Sequence, residues 1–156
     1  MMSLVVNMIG FLALLLLVNV PAGLLGLEFG GDGPSPASLA PPGWLVVAAW
    51  LILFPAMGYA RWSVLEAGGP PGLGVAIILL GVLCASYAYY TLGLAQFTGI
   101  SALWFGLIGN GVVILFALFL AMQAWPVSTG AGIALAAVAV WTAFASISVV
   151  QELLLQ

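Results

Sequence analysis

Charge is the property that this sequence has least of. Its 156 residues include one basic and four acidic side chains, so 3% of the residues are charged while 65% are hydrophobic. A water-soluble domain needs many charges dispersed over its surface to stay in solution, which excludes a soluble protein. The mean hydropathy of +1.34 indicates that lipid, or other apolar protein, surrounds most of the chain.

Histidine is absent, and Cys84 is the single cysteine. Histidine is the commonest metal ligand and a frequent proton-transfer group, and many haem proteins bind the iron through it. The four acidic residues, Glu28, Asp32, Glu66 and Glu152, are scattered along the chain, whereas a metal site needs clustered ligands. We therefore predict that the chain has no catalytic and no metal-binding residues, and that it is not an enzyme. An enzyme that acts on a lipid or an isoprenoid stays an alternative.

The one basic residue is Arg61. Proteins that bind nucleic acid or an anionic lipid surface present clusters of basic side chains. The sequence has no such cluster, so neither a nucleic acid nor a charged lipid surface is an expected partner.

Long apolar segments, separated by turns rich in glycine and proline, predict five membrane-spanning helices. Each segment has about the 20 residues that a helix needs to cross a bilayer. The predicted spans are residues 4–27, 44–65, 73–94, 100–125 and 132–155, within a single membrane domain of residues 1–156. Residues 28–43 are rich in Gly, Pro and Ser and predict a loop outside the bilayer. The expected fold is an all-α, multi-pass integral membrane bundle.

The second predicted span carries a tryptophan at each end. Pro41 and Pro42 make a rigid entry to the helix, Trp44 follows them, and Trp62 lies 18 residues further on. That stretch of helix is about 27 Å long, close to the thickness of the hydrocarbon core. Because tryptophan favours both membrane–water interfaces, this segment is expected to cross the membrane once.

Few polar side chains lie inside the predicted spans. Arg61 and Glu66 are expected to be interfacial charges that fix the depth of the second helix, or to pair with each other. In the first span, Asn7 is expected at the interface. Asn19 is expected to bond to a neighbouring helix, as polar side chains in lipid usually do.

Aromatic side chains well inside two of the spans are candidates for a binding site. Trp50 and Phe54 lie one helical turn apart in the second span, and Trp141 and Phe144 lie one turn apart in the fifth. A tryptophan deep in the membrane is away from its usual interfacial position and should turn inward. Rings from two helices could then form a slot for a flat, apolar ligand. Ordinary packing of the same rings in the core is the alternative interpretation.

Two segments of the chain contain sequence motifs that are typical of one family of membrane proteins. The first runs from Ser38-Leu39-Ala40-Pro41-Pro42-Gly43-Trp44 through Trp50 to Met57-Gly58-Tyr59-Ala60-Arg61-Trp62, and the second is Trp141-Thr142-Ala143-Phe144-Ala145-Ser146. Together they resemble the TspO/MBR family of tryptophan-rich sensory proteins and translocator proteins. The resemblance implies a five-helix bundle, commonly dimeric, with a pocket under the first loop for porphyrins, sterols and similar flat ligands. The residues that match the pocket positions are Trp50, Trp141, Phe144 and Ala145, with Phe54 where the family usually has tyrosine.

The third and fourth spans depart from the family pattern. Two alignments of this region with the motif of the family's third helix stay open. The family's third helix carries an asparagine and a Trp-Ser-Pro motif ahead of Phe-Phe-Gly. In one register, residues 103–106 (Leu-Trp-Phe-Gly) match the end of that pattern; in the other, Tyr87 stands at the tryptophan position and Cys84 at the asparagine position. Val149 replaces the late asparagine of the fifth helix. A pocket without these polar groups would suit a more apolar ligand, such as a carotenoid or a lipid.

The sequence therefore predicts a TspO-like membrane protein that binds a flat, apolar ligand in an aromatic pocket between its helices. The ligand would be a porphyrin, sterol, carotenoid or lipid, and a tetrapyrrole would be bound without histidine ligation. The alternative is a non-catalytic structural or accessory subunit of a larger membrane complex, such as a photosynthetic or respiratory one, because loops with so few charges suit a chain held by partners. Expected partners are membrane lipid and either a second copy of the chain, in a homodimer, or other subunits.

Overall fold

The computed structural model describes residues 3–27 and 40–155, so most of the predicted loop 28–43 lies outside the described residues. Within these two ranges the chain is helical and contains no β-strand. The elements are α1 (Leu4–Leu24), α2 (Gly43–Glu66), α3 (Pro71–Ala85), a π-helical turn (Tyr89–Gly93), α4 (Leu94–Thr98), α5 (Ala102–Ala124) and α6 (Thr129–Leu154). The predicted all-α fold is confirmed.

Four of these helices, α1, α2, α5 and α6, are each long and apolar enough to cross a membrane. α3 and the segment Tyr89–Thr98 meet the same criterion only together, and they are bent by 57° relative to each other. The described residues therefore provide four spans, or five if the bent pair crosses the membrane as one. The third predicted span, residues 73–94, corresponds to this bent pair.

The break begins at Ser86 and coincides with a π-helical turn and a side-chain hydrogen bond from Thr91. Ser86 ends α3 with φ −79° and ψ 9°, outside the α-helical range, and the π-helical turn begins at Tyr89. The buried hydroxyl of Thr91 donates to the carbonyl oxygen of Tyr87 at 2.6 Å. Helices bend both at π-helical turns and where a threonine bonds back to the preceding turn.

The helices pack into one bundle. α1 packs on α2 and α3, α2 also packs on α3 and α6, and α3 packs on α5. α5 and α6 lie against each other along much of their length, and both contain buried small residues, which let helix backbones approach closely. These buried small residues are Ala117, Ala121 and Ala124 of α5 and Ala131 and Ala139 of α6.

Asn19 ties α1 to α3. Its side-chain amide donates to the carbonyl oxygen of Ala85 at 3.2 Å and to that of Leu15, one turn earlier in α1, at 2.9 Å. A side-chain amide that crosses between helices is satisfied without water, as the interior of a membrane requires. The prediction that Asn19 bonds to a neighbouring helix is confirmed.

Arg61 ties α2 to α1 rather than pairing with Glu66. Its Nη1 donates to Oδ1 of the buried Asn7, while Glu66 is exposed at the last residue of α2. Residues five apart on a helix do not share a face, unlike residues three or four apart, so Glu66 is poorly placed to reach the guanidinium. The close approach of α1 depends on Gly58, where a Cβ atom would lie 2.7 Å from the backbone oxygen of Asn7.

Candidate functional site

The candidate site lies on α2 and α6, whose relative register is fixed near one end of the bundle. The hydroxyl groups of Ser63 and Ser128 are hydrogen-bonded at 2.7 Å, and Tyr59 packs over Gly130, where a Cβ atom would lie 2.4 Å from the tyrosine hydroxyl. Ser63 therefore lies opposite Ser128, and the earlier residue Tyr59 lies opposite the later residue Gly130. The two helices are antiparallel.

This register places the two candidate tryptophans at the same level. Trp50 and Trp141 each lie thirteen residues from the Ser63–Ser128 contact, a distance of about 20 Å along a helix. Both indole rings are partly buried, and both pack against the same hydrophobic core cluster. Two aromatic residues that are far apart in the sequence therefore lie at a similar level of the bundle.

Phe54 supports Trp50 from within the core. The two ring centroids are 5.7 Å apart with an interplanar angle of 65°, an edge-to-face arrangement that aromatic pairs favour. Phe54 has 0% of its surface exposed, so protein already covers the whole side chain. Phe54 therefore packs against Trp50 from inside the protein, and of the two rings only the indole of Trp50 keeps exposed surface.

Phe144 is more exposed than Trp141, which precedes it by about one turn on α6. Its ring centroid lies 5.7 Å from that of Trp141 at an interplanar angle of 40°, but 48% of the side chain is exposed. Ala145 is partly buried. A ligand held between α2 and α6 would therefore contact Trp141 and the small side chain of Ala145, whereas much of Phe144 is turned away from the protein.

The chemistry that these residues offer is stacking and apolar burial. The hydroxyl of Thr142, next to Trp141, donates to the carbonyl oxygen of Val138 at 2.9 Å within α6, so its proton is already used. In the described ranges no three His, Cys, Asp or Glu side chains come together in a way that could hold a metal ion. The candidate residues therefore offer aromatic and apolar surface.

The sequence places a cluster of tyrosines at the end of the third predicted span, but it did not predict that two of them pack on α5. Tyr87 and Tyr90 have ring centroids 5.4 Å apart, and they pack over Gly106 and Gly109 of α5. A Cβ atom at Gly109 would lie 2.2 Å from the ring of Tyr90, and one at Gly106 would lie 2.8 Å from the hydroxyl of Tyr87. Two glycines three residues apart, opposite two tyrosines three residues apart, is a pattern that could have been recognised in the sequence.

The hydroxyl group of Tyr90 is buried and has no hydrogen-bond partner among the described residues. A buried donor without a partner costs free energy, and π-helical turns such as the one that begins beside Tyr90 often occur at functional sites. Tyr90 is therefore a further candidate for contact with a bound molecule.

Comparison with known proteins gives one match. The sequence model of the TspO/MBR family matches residues 33–151, which include the two aromatic segments of α2 and α6 but not α1. No curated protein and no solved structure is similar enough to this chain to match it.

Proposed function

The chain belongs to the TspO/MBR family, and from this membership we propose that it binds a flat, apolar ligand between α2 and α6. Family membership and several apolar helices of sufficient length identify it as an integral, multi-pass membrane protein. Ligand binding is the further step. It is supported by the position of the aromatic residues within the bundle.

The observation that carries this proposal is the shared level of Trp50 and Trp141 on one core cluster. Neither indole is fully buried, so each ring keeps surface that a ligand can cover. Flat ring systems gain stacking energy from indole rings in addition to the energy of apolar burial. Two such rings at the same level, on facing antiparallel helices, can hold one flat molecule between them.

The proposed roles follow from burial. Trp50 and Trp141 contact the ligand, the fully buried Phe54 holds Trp50 in position, and Ala145 leaves room beside Trp141. Phe144, which is half exposed, contributes the edge of the site nearest the lipid. A porphyrin is the first candidate ligand, and sterols, carotenoids and lipids are the others.

Titration with metal-free protoporphyrin tests the proposal. Fluorescence anisotropy of the porphyrin reports binding without relying on the emission of the tryptophans that are being changed. We expect Trp50→Leu and Trp141→Leu each to raise the Kd roughly ten-fold, because each removes one stacking surface. Trp104→Leu is the matched control, since 52% of Trp104 is exposed on α5. Absence of saturable binding, or equal Kd values for all three variants, would rule out this site.

No feature of the described residues specifically favours an accessory subunit of a larger complex. That alternative and the homodimer both stay predictions.

A further inference from the structure

Arg61 carries the only positive side-chain charge of the protein, and its hydrogen-bond partner within the described residues, Asn7, is neutral. Its Nη1 donates to Asn7, and Asn7 is the only hydrogen-bond partner that it has in residues 3–27 and 40–155. Its Nε is buried and unpartnered in the same part of the chain. A guanidinium has five N–H donors, and leaving them unpaired away from water is costly. An oxyanion from outside the protein would satisfy them.

Arg61 borders a cleft of about 380 Å³ between α1, α2 and α3. Apart from Arg61 and Asn7, the lining is apolar and includes Phe11, Leu14 and Ile78. The cleft is open to the outer surface of the bundle, which in a membrane protein faces the acyl chains. A molecule that enters it therefore needs an apolar body and one anionic end.

The length of the cleft matches one leaflet of a bilayer. It follows α1 from Val6 to Leu17, a distance of about 17 Å along the helix, and half of the hydrocarbon core is about 15 Å. Arg61 lies at the end of the cleft near Val6, five residues before the end of α2, or about 8 Å from that end. An arginine at this depth reaches the level of the lipid headgroups.

We propose that this cleft binds one anionic glycerophospholipid, with an acyl chain along α1 and the phosphate group at Arg61. A lipid with a net negative charge neutralises Arg61, whereas a zwitterionic headgroup brings a cation of its own. Asn7 holds the guanidinium on the side of the cleft where the phosphate arrives. A single, partly buried cation in a cleft can therefore select an anionic lipid although the chain has no basic cluster.

This lipid site is separate from the proposed ligand site. Arg61 lies eleven residues beyond Trp50 on α2, about 17 Å along the helix. One wall of the cleft is α1, which lies outside the residues that match the family model. The two sites can therefore be tested independently.

Native mass spectrometry of the full chain tests the lipid site, with palmitoyl-oleoyl phosphatidylglycerol and palmitoyl-oleoyl phosphatidylcholine as probes. We expect the wild-type protein to bind phosphatidylglycerol roughly ten-fold more tightly, the size of effect expected from one charge-assisted hydrogen bond. Arg61→Gln should abolish this preference. Inorganic phosphate, which lacks an acyl chain, should not displace the bound lipid.

A second variant blocks the cleft without altering the charge. A Cβ atom at Gly10, which lines the cleft, would meet no atom within 4 Å, so Gly10→Leu fills the space without a steric clash. We expect it to weaken the binding of both lipids several-fold. Gly111→Leu in α5 is the matched control, because a Cβ atom there also meets nothing within 4 Å, and it should bind like the wild type.

Several results would overturn the proposal. If the wild type binds the two lipids equally tightly, the cleft does not select lipids by charge. If the Arg61→Gln variant still prefers phosphatidylglycerol, another residue causes that preference. If the Gly10→Leu variant binds both lipids as tightly as the wild type, the acyl chain does not lie in this cleft. Displacement by inorganic phosphate would reduce the site to a simple anion site. If Arg61→Gln does not fold, the comparison of Gly10→Leu with Gly111→Leu still decides whether the cleft is occupied.

Discussion

Trp50 of α2 and Trp141 of α6 each lie thirteen residues from the hydrogen bond between Ser63 and Ser128. Because the two helices are antiparallel, this equal spacing brings the two indole rings to one level of the bundle, although 91 positions separate them in the sequence. The proposed ligand site depends on this relationship. The residues that fix the register are therefore as important to the site as the aromatic residues themselves.

The Ser63–Ser128 contact can be tested by changing each serine. Ser128 also accepts a hydrogen bond from the backbone N–H of Ala131 at 3.2 Å and caps the start of α6. Ser128→Ala should therefore lower the free energy of unfolding by about 1–2 kcal/mol, and Ser63→Ala by about 1 kcal/mol or less. Reversible unfolding in detergent, followed by circular dichroism, measures both. A larger effect for Ser63→Ala would contradict this assignment of the cap.

Truncation of Phe54 should destabilise the protein more than truncation of Phe144. Phe54 is fully buried and Phe144 is 48% exposed, so Phe54→Ala leaves a cavity and Phe144→Ala leaves little. We expect losses of about 3 kcal/mol and less than about 1 kcal/mol in the free energy of unfolding. The same detergent unfolding experiment compares the two. Equal losses would mean that Phe144 is covered in solution, for instance by a second copy of the chain.

Two glycines of α5 form a matched pair. Gly109 faces the ring of Tyr90, which a Cβ atom would approach to 2.2 Å, whereas a Cβ atom at Gly111 would meet nothing within 4 Å. Gly109→Ala should therefore destabilise the protein by about 1–3 kcal/mol through overpacking, and Gly111→Ala should leave it unchanged or stabilise it by up to about 1 kcal/mol.

A second substitution identifies the cause of the Gly109 effect. Adding Tyr90→Leu to Gly109→Ala removes the ring that the new methyl group would strike. Part of the lost stability should then return, measured as a coupling energy in a double-mutant cycle. Strict additivity of the two changes would show that Tyr90 and Gly109 do not touch.

Binding of porphyrins should not depend on a central metal ion. The chain has no histidine to act as an axial ligand, and the proposed contacts stack on the ring. Metal-free protoporphyrin and its iron complex should therefore have Kd values within about three-fold of each other, a difference of less than about 1 kcal/mol. A much tighter complex with iron, together with the absorption spectrum of a ligated haem, would reveal an axial ligand and contradict a site based on stacking.

The sequence predicted the parts of the fold that depend on helix length and polarity. Apolar segments of about 20 residues locate membrane helices because the bilayer sets their length, and Asn19 had to find a partner because lipid offers none. The break after α3 could not be predicted. Hydropathy does not record that Thr91 bonds back to the carbonyl of Tyr87 or that the backbone leaves the α-helix at Ser86.

The side-chain environment of the site was harder to predict than the fold. α6 is apolar on nearly every side, so its sequence does not indicate which face turns inward. The structure buries Leu135, Val138 and Thr142, and Phe144 then falls on the opposite side. The pairing of Arg61 with Asn7 joins residues 54 positions apart and depends on how α1 packs against α2. Local sequence patterns contain no information about such a contact.

The most direct test of the proposed function is the Kd for metal-free protoporphyrin of the double variant Trp50→Leu, Trp141→Leu. The matched control is Trp104→Leu, Trp125→Leu, which removes two indoles that are each about half exposed. If the ligand lies between the two candidate tryptophans, the first variant should bind at least roughly thirty-fold more weakly than the wild type, and the control should bind as the wild type does. Equal Kd values for the two double variants would contradict the account.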